Sequence, residues 1–238
     1  MEFTVKLIQT IDRVPGVRSF RFERPDEADF KAGQYMILTI PVKGKDTPKA
    51  FSFSSSPTEK EYLEFTKRFT DSDYSAVLKS MEPGDAVKVR MPMGKFILDE
   101  SRCDKLAFLS GGIGITPFKS MCGYAADTGS CKDIVLLYGN NDPDSVIFRE
   151  ELDRMQRKNP LFRVVYALTS PEAEARESSC ERKGYIDSCM IEEEIPDKDQ
   201  RTFYVCGPPA MVTSLVGVLK DGLGVADERI ILENFQGY

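Results

Sequence analysis

The 238-residue chain is long enough for one large domain or two modest ones, and 41% of its residues are hydrophobic, which allows a full core. It contains no histidine, which excludes Ser-His-Asp and Cys-His catalysis and any histidine-ligated zinc or haem. The net charge of -6 disfavours nucleic-acid binding, because such proteins usually carry a basic excess. Chemistry must therefore come from other side chains, the backbone or a bound cofactor.

The first hundred residues are predicted to form short strands. Alternating or apolar runs lie at 3–8, 17–22, 34–40 and 63–65. Pro-Gly or Ala-Gly pairs mark turns at 15–16, 32–33 and 83–84. Only residues 72–81 have a helical pattern. Many short strands separated by turns predict a small antiparallel barrel.

After about residue 100 the pattern changes to alternating strands and helices. Short apolar runs suited to buried parallel strands lie at 105–109, 134–138, 162–168 and 202–205. Helical stretches are predicted at 146–158 and 208–220. This alternation predicts a doubly wound parallel sheet. We therefore expect two domains, residues 1–100 and 101–238.

Neither a membrane segment nor a metal site is expected. The longest nearly uncharged run, 106–118, has 13 residues and is too short to span a membrane. The first residues, MEFTVK, lack an apolar signal core, which favours a cytoplasmic protein. The six cysteines form no C-x-x-C pair and no cluster typical of zinc or iron–sulfur ligation.

Two strand–helix junctions of the second half are rich in glycine and proline. The segment SGGIGITP at 110–117 follows a strand and opens a helix, so its backbone can approach a pyrophosphate at a helix N-terminus. Pro117 replaces the last glycine of the G-x-G-x-x-G pattern. Cys206-Gly207-Pro208 repeats the arrangement at the last junction, where open α/β sheets place ligands. Taken alone, either segment also fits a purely structural turn.

In the first half, KAFSFSSSP at 49–57 places a cation, aromatic rings and hydroxyls on one predicted strand. This combination suits stacking on a flat heterocycle, although an ordinary strand and turn has a similar composition. The order of the three motifs on these two architectures is more specific than any one of them. Five segments can be compared with the motifs of a known family: 49–52, 91–96, 111–117, 206–208 and 233–235.

Together these segments resemble the R-x-Y-S, G-P-x-G-x-F, G-G-x-G-x-x-P and C-G-P motifs and the terminal acid–aromatic pair of the ferredoxin–NADP reductase family. The resemblance covers essentially the whole chain. It implies an N-terminal antiparallel six-stranded flavin-binding β-barrel, followed by a doubly wound parallel sheet that binds a nicotinamide nucleotide.

The resemblance implies FAD as the flavin, with FMN less favoured. Phe51 would pack on the isoalloxazine, Ser52 would hydrogen-bond near N5 and Lys49 would neutralise the pyrophosphate. Lys49 in place of Arg loses bidentate phosphate recognition, and Phe51 in place of Tyr loses a hydroxyl. The further flavin contacts implied are Phe53, Thr66, Lys67, Arg68, Ser72 and Ser75.

For the coenzyme, NADH or NADPH, Gly112, Gly114 and Thr116 would hold the pyrophosphate, and Cys206 would lie beside the nicotinamide. The other implied contacts are Gly111, Pro117, Gly207 and Pro208. The implied catalytic residues are Ser52, Cys206 and Glu233. Phe235 would cover the flavin, with Tyr238 as the alternative.

Coenzyme choice depends on groups that reach the adenosine 2′-position. NADPH-specific members of the resembled family often carry Ser-Arg after the third strand of the sheet. Here Thr169-Ser170-Pro171 lacks that arginine, although Arg176 and Arg182 follow. The sequence therefore favours NADH, with NADPH also accepted.

The implied function is hydride transfer from NAD(P)H to flavin N5, with electrons passed to a separate acceptor such as ferredoxin or flavodoxin. Free flavin, a quinone and an oxygenase remain open as acceptors. Two other functions also remain open: an electron-transfer subunit of a larger redox complex, and a nucleotide-binding regulatory protein without turnover.

Overall fold

The computed structural model describes residues 1–99, 104–170 and 180–234. These residues form two compact units. The first consists of Met1–Leu98 with Thr116–Tyr124, and the second of the described parts of Asp99–Ile115 and Ala125–Tyr238. The domain boundary at residue 100 stays a prediction.

The first unit is an antiparallel barrel, as the sequence predicts. Among its described residues the strands are β1 (Glu2–Val14), β2 (Val17–Glu23), β3 (Tyr35–Val42), β4 (Lys45–Ser52), β5 (Tyr62–Arg68) and β6 (Ala86–Met93). They pair in the order β4-β3-β6-β1-β2-β5. A bridge between Phe53 and Phe65, and a hydrogen bond from Ser54 N to Glu64 O at 2.8 Å, join the end of β4 to β5. These contacts close the sheet into a barrel, whose interior is filled by the apolar residues of the alternating strands.

The helix predicted at 72–81 is α1 (Asp73–Ser80). It begins after Ser72, whose hydroxyl accepts a hydrogen bond from Ser75 N. A second helix, α2 (Ile115–Thr128), contributes its Thr116–Tyr124 stretch to the same unit as the barrel. Phe118 of that stretch packs edge-on against Phe96, with ring centroids 5.7 Å apart.

The second unit contains the predicted parallel sheet. Its described strands are β7 (Lys105–Gly111), β8 (Asp133–Asn140), β9 (Phe162–Leu168), β10 (Glu181–Lys183), β11 (Arg201–Gly207) and β12 (Ile230–Asn234). They are ordered β10-β9-β8-β7-β11-β12, and each neighbouring pair is parallel. From β7 the chain adds β8, β9 and β10 on one side, and it then crosses to the other side of β7 to form β11 and β12. The strand order therefore reverses between β7 and β11, which is where doubly wound sheets bind ligands.

The remaining helices are α3 (Arg149–Lys158), α4 (Ser188–Glu194) and α5 (Pro209–Gly217). The helix predicted from residue 146 begins at Arg149, because Phe148 has a left-handed backbone with φ of 63°. The helix predicted at 208–220 continues beyond Gly217 as a π-helical turn, Val218–Gly222. No described helix is long and apolar enough to cross a membrane.

Candidate functional site

Two lysines of the barrel lie close enough to repel each other. The Nζ of Lys49 is 5.6 Å from the ring centroid of Tyr74, and that of Lys67 is 6.0 Å from the ring of Phe51. Burial, together with the charge of Lys49, lowers the pKa of Lys67. Within the described residues neither lysine forms an ion pair with a carboxylate. Two neighbouring lysines that repel each other are stabilised by a bound anion, so Lys49 and Lys67 are suited to binding a diphosphate group.

Hydroxyl groups surround the start of α1, close in sequence to these cations. Ser75 Oγ accepts a hydrogen bond from Thr70 N at 3.2 Å, and Ser72 Oγ accepts one from Ser75 N at 3.3 Å. Arg68 precedes them and forms no ion pair with a described carboxylate. The predicted residues Arg68, Ser72 and Ser75 therefore place donors and positive charge in the segment that follows Lys67.

The two predicted phenylalanines occupy different environments. Phe51 is half-buried and stacks on Phe65, with ring centroids 4.4 Å apart. Phe53 is fully buried and stacks on Phe30 at 3.9 Å. Phe51 therefore has ring surface available to a ligand, whereas the ring of Phe53 is used by the barrel core.

Thr66 and Ser52, both predicted to contact the flavin, differ in the hydrogen bonds that their hydroxyls form. The Thr66 hydroxyl lies 2.6 Å from Ser19 Oγ and 2.9 Å from Ser54 Oγ, so it belongs to an internal network. Ser52, the last residue of β4, makes no side-chain hydrogen bond to any described residue. Its hydroxyl is therefore available to bind a ligand.

In the second unit the two glycine-rich turns pack against each other where the strand order reverses. A Cβ atom on Gly114 would lie 2.5 Å from the carbonyl oxygen of Cys206 and from Cα of Gly207. A Cβ on Gly111 would lie 2.0 Å from Sδ of Met211. Only glycine fits at position 114, because its neighbours there are backbone atoms, whereas a side chain at position 111 would require Met211 to move. The turn Gly112–Gly114 is also held by Tyr138, whose hydroxyl donates to Gly112 O at 2.8 Å.

The helices that leave these turns begin without a side-chain cap. Neither α2, which follows Gly114, nor α5, which follows Pro208, has a side-chain cap or an acidic residue in its first turn. A helix N-terminus without such groups suits an anion, which agrees with the role predicted for the first turn of α2; Ile115 N in that turn bonds to Gly112 O, and Pro117 has no N–H group. The Ser110 hydroxyl is buried beside them and has no partner among the described residues.

Cys206 and Glu233 are register neighbours on β11 and β12, at the carboxyl edge of the sheet. Burial and the nearby Glu233 raise the pKa of the Cys206 thiol, and burial raises the pKa of Glu233. Cys206 is therefore a neutral thiol, and Glu233 retains its proton to higher pH than an exposed glutamate.

Two residues near the carboxyl edge were missed or misjudged from the sequence. Tyr185 follows β10 and is 81% exposed, an unusual position for an aromatic ring; the signal was its place just after a strand end. Arg182 forms an ion pair with Glu194 at 2.5 Å and is not a free phosphate ligand. The predictions that concern Pro171, Arg176, Phe235 and Tyr238 lie outside the described residues.

Comparison with known proteins agrees with this geometry. Residues 4–97 match the oxidoreductase FAD-binding domain family, and residues 108–216 match the oxidoreductase NAD-binding domain family. The glycine betaine monooxygenase reductase subunit of Chromohalobacter salexigens is 30% identical over 220 residues, which cover 91% of this chain and 60% of that protein. NADH-cytochrome b5 reductase 1 of Dictyostelium discoideum is 30% identical over 209 residues, covering 85% and 72%.

The fold agrees with solved structures as well. A ferredoxin NADP+ reductase from Neisseria gonorrhoeae, solved with bound FAD and NADP, superposes with a TM-score of 0.81 at 24% identity over 98% of both chains. The matched domains and the fold define a two-domain oxidoreductase that binds a flavin and a nicotinamide nucleotide. The chain belongs to the ferredoxin–NADP reductase family, as the motifs predict. It spans 60% of the first relative's length.

Proposed function

We propose that this chain takes hydride from NADH onto the N5 atom of bound FAD and passes the electrons to a separate acceptor. FAD, when bound, would supply the redox chemistry that links a two-electron hydride donor to an electron acceptor. The observation that carries the proposal is that each unit offers a site for its own nucleotide: uncompensated lysines in the barrel, and two packed glycine turns in the sheet.

In the barrel, Lys49 and Lys67 would neutralise the flavin diphosphate, with Arg68, Ser72 and Ser75 as further donors. Phe51 would pack against the isoalloxazine with its exposed ring surface. Ser52 would donate its unused hydroxyl to the flavin near N5 and thereby orient it. The side chains of Phe53 and Thr66 would act indirectly, by fixing the strands that carry these residues.

In the sheet, the backbone N–H groups of Gly111–Gly114 and of Thr116 would hold the coenzyme diphosphate, and Pro117, which has no N–H group, would fix the backbone of the first turn of α2. Gly207 and Pro208 would line the other side of the turn. Cys206 and Glu233 would present a neutral thiol and a carboxyl with raised pKa to the nicotinamide.

NADH is the proposed coenzyme, with NADPH accepted less efficiently. Specific binding of a 2′-phosphate needs an unpaired cation, and the first described arginine that follows Thr169-Ser170-Pro171 in the sequence, Arg182, is paired with Glu194. A catalytic efficiency that favours NADPH by more than about tenfold, or ~1.4 kcal/mol, would contradict this preference.

The acceptor is proposed to be a separate small redox protein of the ferredoxin or flavodoxin kind, in the cytoplasm. The relatives carry different acceptor names, namely glycine betaine monooxygenase, cytochrome b5 and ferredoxin. The shared fold therefore serves several acceptors. Because the first relative is a reductase subunit, an oxygenase component is the second candidate acceptor.

The test begins with the purified chain, its absorption spectrum and its anaerobic reduction. A yellow protein that NADH bleaches supports the proposal, whereas a colourless chain that FAD does not reconstitute would contradict it. Ser52→Ala should retain FAD and slow reduction by about tenfold or more, since an orienting hydrogen bond to the flavin is lost. Ser80→Ala removes another hydroxyl of the same unit, one bonded to Val77 O, and should reduce at the parent's rate.

A screen of reduced enzyme against ferredoxin, flavodoxin, an oxygenase component, free flavin and a quinone then ranks the acceptors. Turnover with ferredoxin or flavodoxin that exceeds turnover with the small molecules supports the proposed class. A preference for free flavin or a quinone would contradict the proposed protein acceptor and indicate a small-molecule acceptor instead.

A further inference from the structure

A buried charge cluster of the first unit is used by none of the roles above. Its centre is Glu64 on β5, whose side chain is 0% exposed. Glu64 Oε2 lies 3.1 Å from Nη2 of Arg13 and 2.8 Å from Nε of Arg21. Glu64 Oε1 lies 3.3 Å from Nζ of Lys119 and accepts a hydrogen bond from the Ser54 hydroxyl at 2.9 Å.

Lys119 is the third cation beside one carboxylate. Arg13 and Arg21 already supply two positive charges for one negative charge, and Ser54 already donates to Oε1. The Lys119 side chain is only 6% exposed, so its ammonium loses hydration to join a cluster that already holds two guanidinium groups. Its position therefore suggests a role in addition to charge balance.

The place of Lys119 in α2 indicates that role. Lys119 follows Thr116 by three residues, so both lie on adjoining turns of one helix. The next residue, Ser120, donates its hydroxyl to Ser55 O at 2.6 Å. Two neighbouring residues of α2 thus bond to the barrel, one to β5 and one to the segment that follows Ser52, and all these residues belong to the same compact unit.

We propose that Lys119 is a positioning residue, which holds the first turns of α2 against the barrel through Glu64 and so fixes Thr116 relative to Ser52. The inference rests on the proposed function, in which Thr116 binds the coenzyme and Ser52 contacts the flavin. Hydride transfer is sensitive to placement, because an error of about 1 Å can slow a reaction by roughly 100-fold.

The experiment compares FAD-loaded variants. Lys119→Met removes the charge at similar side-chain length, and Lys119→Arg retains it. Lys105→Met is the matched control, because Lys105 also pairs with one carboxylate, Asp197, at 2.8 Å, but lies in the second unit. We measure NAD+ binding by titration calorimetry, flavin reduction by stopped flow at saturating NADH, and the melting temperature.

Lys119→Met should weaken NAD+ binding by about fivefold and slow reduction by about tenfold, because the first turns of α2 are no longer held against β5. Its flavin spectrum should match the parent, and its melting temperature should stay within about 5 °C. Lys119→Arg should recover both values to within about threefold, and Lys105→Met should match the parent in both.

Each result supports or overturns the inference. Parent-like NAD+ affinity and reduction in Lys119→Met would overturn it, and so would Lys119→Arg that is as impaired as Lys119→Met. If Lys119→Met does not fold, Ser120→Ala decides: slower reduction by about threefold supports positioning by α2, and an unchanged rate refutes it. A parent chain that no nicotinamide nucleotide reduces would instead overturn the proposed function and this inference with it.

Discussion

The two units each bury an ion cluster, and the two clusters have opposite charge arrangements. In the described part of the barrel, three cations surround the carboxylate of Glu64. In the described part of the sheet, two carboxylates surround the guanidinium of Arg201: Asp197 at 2.7 Å from Nε and Asp133 at 3.0 Å from Nη1. Arg201 also donates to the carbonyl oxygens of Leu106 and Asp133 at 3.0 and 3.1 Å.

The clusters differ in their access to water and in their place in the fold. The Glu64 carboxylate is fully buried, whereas the side chains of Asp197 and Asp133 are 23% and 38% exposed. Arg201 begins β11 and ties together the starts of neighbouring strands, at the edge opposite Cys206. The comparison teaches that the same physical device, an ion cluster, can lie at the sheet edge remote from the candidate ligand residues or on the strand that carries some of them, Thr66 and Lys67 of β5.

The largest expected effect is from Glu64→Gln, because three cations would then surround a neutral amide. Breaking a buried ion cluster in this way should lower the free energy of unfolding by about 3–5 kcal/mol. Urea denaturation of the FAD-loaded protein measures it. Glu61→Gln, an exposed change on the same segment, should stay within about 0.5 kcal/mol of the parent. A loss below about 1 kcal/mol in Glu64→Gln would show that the cations do not depend on the carboxylate.

A smaller loss is expected for Arg201→Met. Two buried carbonyls lose a donor, but both carboxylates reach water, so the cost should be about 2–3 kcal/mol. NAD+ affinity should not change, since Arg201 lies at the opposite end of β11 from Cys206. The contrast between the clusters would fail if Arg201→Met destabilised more than Glu64→Gln or weakened NAD+ binding.

Much of this fold followed from the sequence, because period-2 alternation and strand–helix alternation depend on local patterns. The packing of the Gly114 turn on Cys206 was also predictable, since the carboxyl ends of adjacent parallel strands meet at one edge.

The Glu64 cluster was not predictable. The alternation of the strand predicts that the Glu64 side chain faces solvent. Its partners Arg13 and Lys119 lie 51 and 55 residues away in the sequence, so no local pattern indicates them. The environment of Phe53 was not predictable for a related reason: only the closure of the barrel shows that its ring packs on Phe30. Its role in flavin binding stays a prediction.

The pH dependence of stability should show both clusters. Burial opposes ionisation of Glu64, but Lys119, Arg13 and Arg21 outweigh it and hold its pKa at about 2. The hydrogen bond from Arg201 lowers the pKa of Asp197 to about 2, against burial and with help from Lys105. Because both folded pKa values lie below the ordinary 4.5 and 3.8, the stabilisation is present above those values.

That stabilisation is lost as the pH falls from the ordinary values towards the folded ones. Denaturant midpoints measured from pH 6 to about pH 2.5 should therefore decline in the parent and decline less in Glu64→Gln. Asp197→Asn should also flatten the decline, by a smaller amount because Asp197 is partly exposed. Equal slopes for the parent and Glu64→Gln would mean that Glu64 is not ionised more strongly in the folded state than in the unfolded chain.

The smallest effect is expected for Lys105→Met, which tests whether water access separates the two clusters. Lys105 is 41% exposed, and Asp197 keeps Arg201 as its partner when the lysine is removed. The loss of unfolding free energy should be about 0.5 kcal/mol, and it should vanish near 1 M salt, because an exposed pair is screened by mobile ions. The ion pair of Lys119 is shielded from those ions, so the slower reduction expected of Lys119→Met should persist at the same salt concentration. If 1 M salt instead restored the reduction rate of Lys119→Met and left the lower unfolding free energy of Lys105→Met unchanged, solvent access would not explain the difference between the two clusters.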